Sequence, residues 1–191
     1  LLVSSVMWAL GIALGAVLLG LAPAWAVRKR PYLATLLLVP MVLPSYLAYA
    51  GLNILRAPRT WLGDFGEHLA QSGFKEAPLI IGRIIAYFGV TLWVWPIAAI
   101  TMLPFMRSLD DECIESFLLE SKSPFARLRH IAGMLRMALL AAAGCVFLVA
   151  LGSSVPLHVA QVRTLAMAVW IALVQAPGTL HPYAASWPLL L

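Results

Sequence analysis

A few side chains in this chain are of the kinds that do chemistry, and their spacing limits what that chemistry could be. Gly152-Ser153-Ser154 precedes His158, and His181 follows further on, so a serine hydroxyl activated by an imidazole is one reading. No Gly-x-Ser-x-Gly surrounds those serines, His158 comes only four residues after Ser154, and the pair falls where an apolar run ends. Polar residues at the outer interface of a membrane are the simpler account. Asp110, Asp111, Glu112 and Cys113 offer oxygen and sulfur ligands. Adjacent acids at the start of a helix, however, serve its positive N-terminal end, and His130 is too distant in sequence to be taken as a ligand. We therefore assign no catalytic residue, no metal ligand and no cofactor. Lysine occurs only at Lys29, Lys75 and Lys122, never after glycine, so no Gly-Lys-Ser/Thr phosphate loop exists in the chain.

The elements that must carry these residues are lipid-soluble. Of 191 residues, 62% are hydrophobic and 11% charged, and the mean hydropathy is +0.92. That composition points to a polytopic membrane protein with lipid around it. Four apolar runs are long enough to cross, at about 1–26, 33–55, 79–106 and 131–152, and a fifth starts near Tyr183 within 183–191. Strict alternation is absent from all of them, so the expected fold is all-α, a polytopic transmembrane helical bundle. The chain opens at Leu1 and stops inside Pro188-Leu-Leu-Leu191, and we expect a single domain cut from a longer polypeptide. Residues 1–27 are too long an apolar run for a signal peptide, and their basic residues follow rather than precede it.

Orientation follows from the basic residues. Arg28, Lys29 and Arg30 follow the first run, and Arg107, Lys122, Arg127 and Arg129 lie between the third and fourth. Residues 28–32 and 107–130 are therefore expected in the cytoplasm, with 56–78 and 153–182 outside. The net charge of +5 is read as topology, not as a nucleic-acid surface. Arg83 and Arg136, near span ends, are expected to snorkel. Cys113 and Cys145 fall on different sides of the membrane and are not expected to pair.

Inside the runs, Gly11 and Gly15 form a small-xxx-small pair, which is either a packing face or a chance match in a Gly/Ala-rich helix. Pro40 and Pro44 predict kinks in the second run. Tyr46, Tyr49, Asn53 and Trp95 are the more polar or aromatic side chains of spans two and three; Tyr46 and Tyr49 are the candidates for a substrate path, with interfacial belts and packing as the alternative. Residues 164–175 are too short to cross and read as an amphipathic or re-entrant helix ended by Pro177-Gly178. No Asp or Glu lies within a span, which disfavours an ion-coupled carrier.

The charged stretch 110–130 interrupts this pattern. Ser108 is a fitting N-cap for Asp110, Asp111 and Glu112, and Ile114, Phe117 and Leu118 recur at helical spacing. Ser123 and Pro124 then restart a second helix carrying Arg127, Arg129 and His130. A solvated interfacial helix is one reading; a docking helix with Phe117 and Leu118 as anchors is the other. The stretch resembles the cytoplasmic EAA loop of binding-protein-dependent ABC importer permeases, the type-1 transmembrane domain. Glu115 falls on the motif's glutamate, Ser116 and Phe117 replace its alanines, and Ser121 replaces its glycine. Ile131 falls on its isoleucine, while Gly133 and Met134 replace its Leu-Pro. The flanks Ser123-Pro-Phe-Ala-Arg-Leu-Arg129 and 135–143 are similar to those of the family, and 38–50 is similar to the corresponding helix of ferric-iron and thiamine-type permeases.

The resemblance implies an inner-membrane permease half of an ATP-driven importer. It implies a coupling loop at about 107–130, with Glu112, Glu115, Ser116, Phe117, Leu118, Glu120, Ser121, Pro124, Phe125 and Arg127 facing an ATP-binding subunit. The further partners implied are a second permease half, identical, paralogous or fused, and an extracytoplasmic solute-binding protein; the cargo is ferric iron or another small solute. A secondary carrier or channel, and an intramembrane hydrolase, are the competing classes.

Overall fold

The computed structural model describes residues 1–109, 123, 129 and 133–175. The predicted coupling residues Glu112, Glu115, Ser116, Phe117, Leu118, Glu120, Ser121, Pro124, Phe125 and Arg127 lie outside these, as do Cys113, His181, Pro177-Gly178 and the predicted fifth span. The described residues are helical, and no strand occurs among them.

Helix α1 runs Leu2–Arg28 and is 27 residues long. A 3-10 turn, Pro31–Leu33, leads to α2, Ala34–Leu37, and α3, Val39–Val42; α4 is Ser45–Asn53, extended by a 3-10 turn at Ile54–Arg56. Helix α5 is Trp61–Gln71, and α6 spans Ala77–Arg107 with 31 residues. Helices α7, α8 and α9 are Arg136–Gly152, Ser154–Val159 and Leu165–Gln175. At 1.5 Å per residue α1 and α6 reach about 40 and about 46 Å, ample for a hydrocarbon layer of about 30 Å. Both are apolar enough to cross a membrane, and α2–α3 with α4 and its 3-10 extension make a third crossing if that bent pair is one span. The 17 residues of α7 are equally apolar but shorter.

Small residues decide the packing. A Cβ on Gly15 would sit 3.0 Å from Thr91 Cγ2 and collide with the Tyr87 hydroxyl; one on Gly20 would sit 3.0 Å from the Ala99 backbone nitrogen. The Gly11/Gly15 pair is thus a packing face, and Gly20 extends it. Gly11 and Gly15 meet Tyr87, Gly20 meets Trp95 and Ala99, and Arg28 meets Leu109, so α1 and α6 run parallel. Parallel neighbours require the chain to return between them, which the bent pair of α2–α3 and α4 does. Helix α7 buries Ala138, Ala142, Val146 and Ala150, one row at four-residue spacing, in the same core as Ile12, Val90, Val94 and Met102.

The outward faces are as apolar as the core. Met7, Leu10, Leu14 and Leu18 form an exposed stripe on α1, with Leu14 63% exposed; Ile84, Phe88 and Leu92 do the same on α6. A helix apolar on every side suits lipid, since in water such stripes would have to be covered.

The break in the second crossing comes at Leu43-Pro44. A residue before proline is driven from the helical region, and Leu43 is extended at φ −78°, ψ 134°. The two halves meet at 73°. The indole Nε1 of Trp93 donates to the Leu43 carbonyl at 2.6 Å, filling the acceptor that the break frees. Pro40 does not kink the chain in the same way, because it lies in the first two positions of α3, where a missing N–H costs nothing.

The ends of the bundle agree with the charge pattern. Arg28 Nη2 donates to the Leu109 carbonyl, 81 positions on, so the first basic cluster and the start of the charged stretch share one end. At the other end, the Leu165 N–H donates to Ser5 Oγ at 2.7 Å, which puts the start of α1 and the 153–165 connection together.

Two elements differ from the sequence reading. Residues 56–78 read as a plain connection, yet α5 forms there. Gly63 and Gly66 depress its helix propensity, but the packing leaves little room at either: a Cβ on Gly63 would strike the Ala57 carbonyl, and one on Gly66 would lie 3.0 Å from Ile81 Cδ1. Thr60 caps it by accepting from Gly63 N–H at 3.2 Å. Helix α9 is apolar rather than amphipathic, with Trp170, Leu173 and Val174 exposed, and Thr164 caps it towards Met167 N–H.

Candidate functional site

Tyr49 and Tyr46 stand on α4, but their surroundings differ. Tyr49 is buried, its backbone pressed on Gly89 of α6, where a Cβ would lie 3.1 Å from Tyr49 Cα. Its hydroxyl donates to Asn53 Oδ1 at 3.4 Å. Tyr46 is half exposed and lines none of the three clefts that Arg56 borders. Trp95 packs its backbone against Gly20 and belongs to the helix interface.

Tyr49 and Asn53 open onto a group of clefts at the end of the bundle opposite Arg28. One of about 450 Å³ is lined by Tyr49, Ala50, Asn53, Ile54, Arg56, Ala57 and Val159. A second, about 330 Å³, is lined by Arg56, Lys75, Pro78, Leu79, Val159, Ala160 and Gln161. A third, about 200 Å³, lies between α5 and the start of α6, with Arg56, Glu67 and Ile81 in its wall. Arg56 borders all three.

Local structure holds Arg56 there. It ends the 3-10 extension of α4, and its guanidinium rests against Gly82 of α6, in the space a Cβ would fill. The turn after it is tightly tied. Thr60 Oγ1 donates to the Ala57 carbonyl at 2.7 Å. Arg59 is left-handed (φ 69°), with its N–H donating to Asp64 Oδ1 at 3.1 Å. On the opposite wall, Gln161 is also left-handed (φ 59°) where α8 closes, its N–H donating to the His158 carbonyl at 2.8 Å. Such backbone is uncommon outside glycine; Gln161 itself lines a cleft, and Arg59 lies in the turn three residues after Arg56.

From sequence alone, Arg56 counts only as one charge in the balance of an outer connection. The available signal was Gly82, but which side chain occupies a glycine's empty space is set by packing. Arg83, expected to snorkel, keeps Nε buried with no hydrogen-bond partner among the described residues, whereas Arg136 is exposed.

Of the serine–histidine candidates, His181 lies outside the described residues. Ser153 sits between α7 and α8, and exposed His158 faces Val155, Met167 and Trp170 across a separate cleft of about 440 Å³. Among the described residues no three His, Cys, Asp or Glu side chains gather as metal ligands, and Cys145 is free.

The class defined by these features is a chain helical in its described residues, with two helices long and apolar enough to cross a membrane, a bent helix pair beside them, and a basic cleft at one end. No protein-family model matches the chain, and no curated protein matches it as a relative.

Proposed function

We propose that the chain is one permease half of an ATP-driven, binding-protein-dependent importer in a bacterial inner membrane. The observation that carries the reading is the hydrogen bond from Arg28 to the Leu109 carbonyl. It sets the start of the acid-rich, EAA-like stretch at the same end as Arg28-Lys29-Arg30, the end that the basic residues mark as cytoplasmic. A cytoplasmic ATPase would dock there, through Phe117 and Leu118.

Other features support it. A crossing broken at Leu43-Pro44 and held at its break by a side-chain donor suits a domain that alternates between two arrangements. The spans carry no Asp or Glu for ion coupling and these 191 residues hold no phosphate loop, which fits energy supplied by an ATP-binding subunit. The permease biases a conformational equilibrium and hydrolyses nothing itself. A second permease half and an extracytoplasmic binding protein complete the assembly.

The test is affinity purification of the full-length protein from its native membrane, with ATP-linked uptake measured in parallel. An ATP-binding subunit should co-purify, and Phe117→Asp should abolish both the association and the uptake. If no ATPase is retained, or if Phe117→Asp leaves both intact, the reading is wrong.

A further inference from the structure

We infer that the clefts around Arg56 form an entry site for a small soluble anion bearing carboxylate or phosphate groups. This rests on the transport reading and narrows its substrate class.

The two larger clefts share Arg56 and Val159 in their walls, so they adjoin. Between them they present Arg56, Lys75, Asn53, Gln161 and Tyr49, and neither contains an acid. Glu67 borders the third and smallest, which shares Arg56 and Pro78 with the cleft that holds Lys75. Two cations thus line one cleft whose own wall holds no acid, and neither is ion-paired among the described residues.

Their types decide what fits. A guanidinium presents a planar fork of donors that matches carboxylate and phosphate oxygens, and an ammonium adds a point charge. The Asn53 and Gln161 amides can donate alongside. The volumes of about 330 and 450 Å³ fall in the range that holds a small solute. Low-dielectric walls near a membrane concentrate the field of the two cations in the cleft. A bare metal cation would be repelled, so iron would enter only inside an anionic chelate.

The seat of Arg56 shows that the charge is placed. At Gly82 any side chain would displace the guanidinium, and the 3-10 turn that carries Arg56 is braced by Thr60. Lys75 comes from the connection into α6, and Gln161 from the end of α8. The site therefore exists only when those segments pack together.

The experiment reads local charge directly. In the full-length protein with Cys113 and Cys145 replaced by Ala, Val159→Cys is labelled in phosphatidylcholine nanodiscs with an anionic and a cationic thiosulfonate of equal size. The anionic reagent should gain about tenfold over the cationic one, relative to the same ratio at an exposed reference, Ser72→Cys. Arg56→Gln should remove most of that gain, and Arg56→Lys should keep it. Citrate or inorganic phosphate should slow labelling; glucose should not. If Arg56→Gln does not fold, Lys75→Gln and the citrate protection decide. Equal ratios at positions 159 and 72, or no protection by either anion, overturn the inference. So does protection by phosphatidylglycerol in the disc without protection by citrate or phosphate, which would make the occupant a lipid headgroup. An anion preference in a protein that retains no ATPase would sink the importer reading alone. A retained ATPase without the preference would sink only this site.

Discussion

The indole nitrogen of Trp93 and the carbonyl of Leu43 lie 2.6 Å apart, 50 positions away in sequence, and their hydrogen bond supplies a donor where the bent helix pair breaks. Pro44 forces Leu43 out of the helix, and in a low-dielectric setting the freed acceptor needs a donor. The donor comes from the middle of α6, so the break is fixed to the neighbouring helix rather than left to bend.

Trp93→Phe keeps the ring and removes the donor. It should destabilise the protein by about 1–3 kcal/mol, read as a lower unfolding temperature in detergent. Adding Pro44→Ala should return part of the loss, because residue 43 can then re-enter a helix. Additive losses would argue against this account.

The face between α1 and α6 should resist any added volume. Gly15→Leu and Gly20→Val would each cost about 1–3 kcal/mol or more by forcing the helices apart. The Tyr87 hydroxyl, which donates to the Gly11 carbonyl at 3.0 Å, would be displaced by the first. Gly144 is the control, since a Cβ there meets nothing within 4 Å. Gly144→Ala should be neutral or stabilising by up to about 1 kcal/mol in the same thermal assay.

Gly82→Ala should act on the cleft without changing any charge. The added methyl displaces the Arg56 guanidinium, so the anion preference at Val159→Cys should fall severalfold while the thermal midpoint shifts little. An unchanged preference would mean that the seat does not fix the charge.

The two ends of the bundle can be separated by access. In sealed right-side-out vesicles, Val159→Cys and Ser72→Cys should react with an impermeant thiol reagent. Lys29→Cys should react only after permeabilisation. The reverse pattern would invert the topology that the basic residues imply.

Much of this architecture is legible along the chain. Length and hydropathy mark Leu2–Arg28 and Ala77–Arg107 as helices long and apolar enough to cross a membrane, and the basic cluster after the first and the end of the second fall at one end of the bundle. The break at Leu43 follows from Pro44, since ring sterics act on the preceding residue whatever surrounds it. Helix α5 was hidden, because Gly63 and Gly66 look like helix breakers until the atoms they make room for are seen.

Sequence by itself therefore determined that the chain is helical, where most of its long helices run and which ends carry positive charge, because these depend on local hydrogen bonding and on transfer into lipid. Only the tertiary structure decided that α1 lies parallel to α6 with Gly15 and Gly20 at the seam, and that Arg56 borders both the cleft of Asn53 and the cleft of Lys75 and Gln161. The reason is physical. In a membrane the outward face of a helix is as apolar as the inward one, so periodicity does not report which face is buried. Shape complementarity between small-residue surfaces makes that choice, and it exists only once the helices meet.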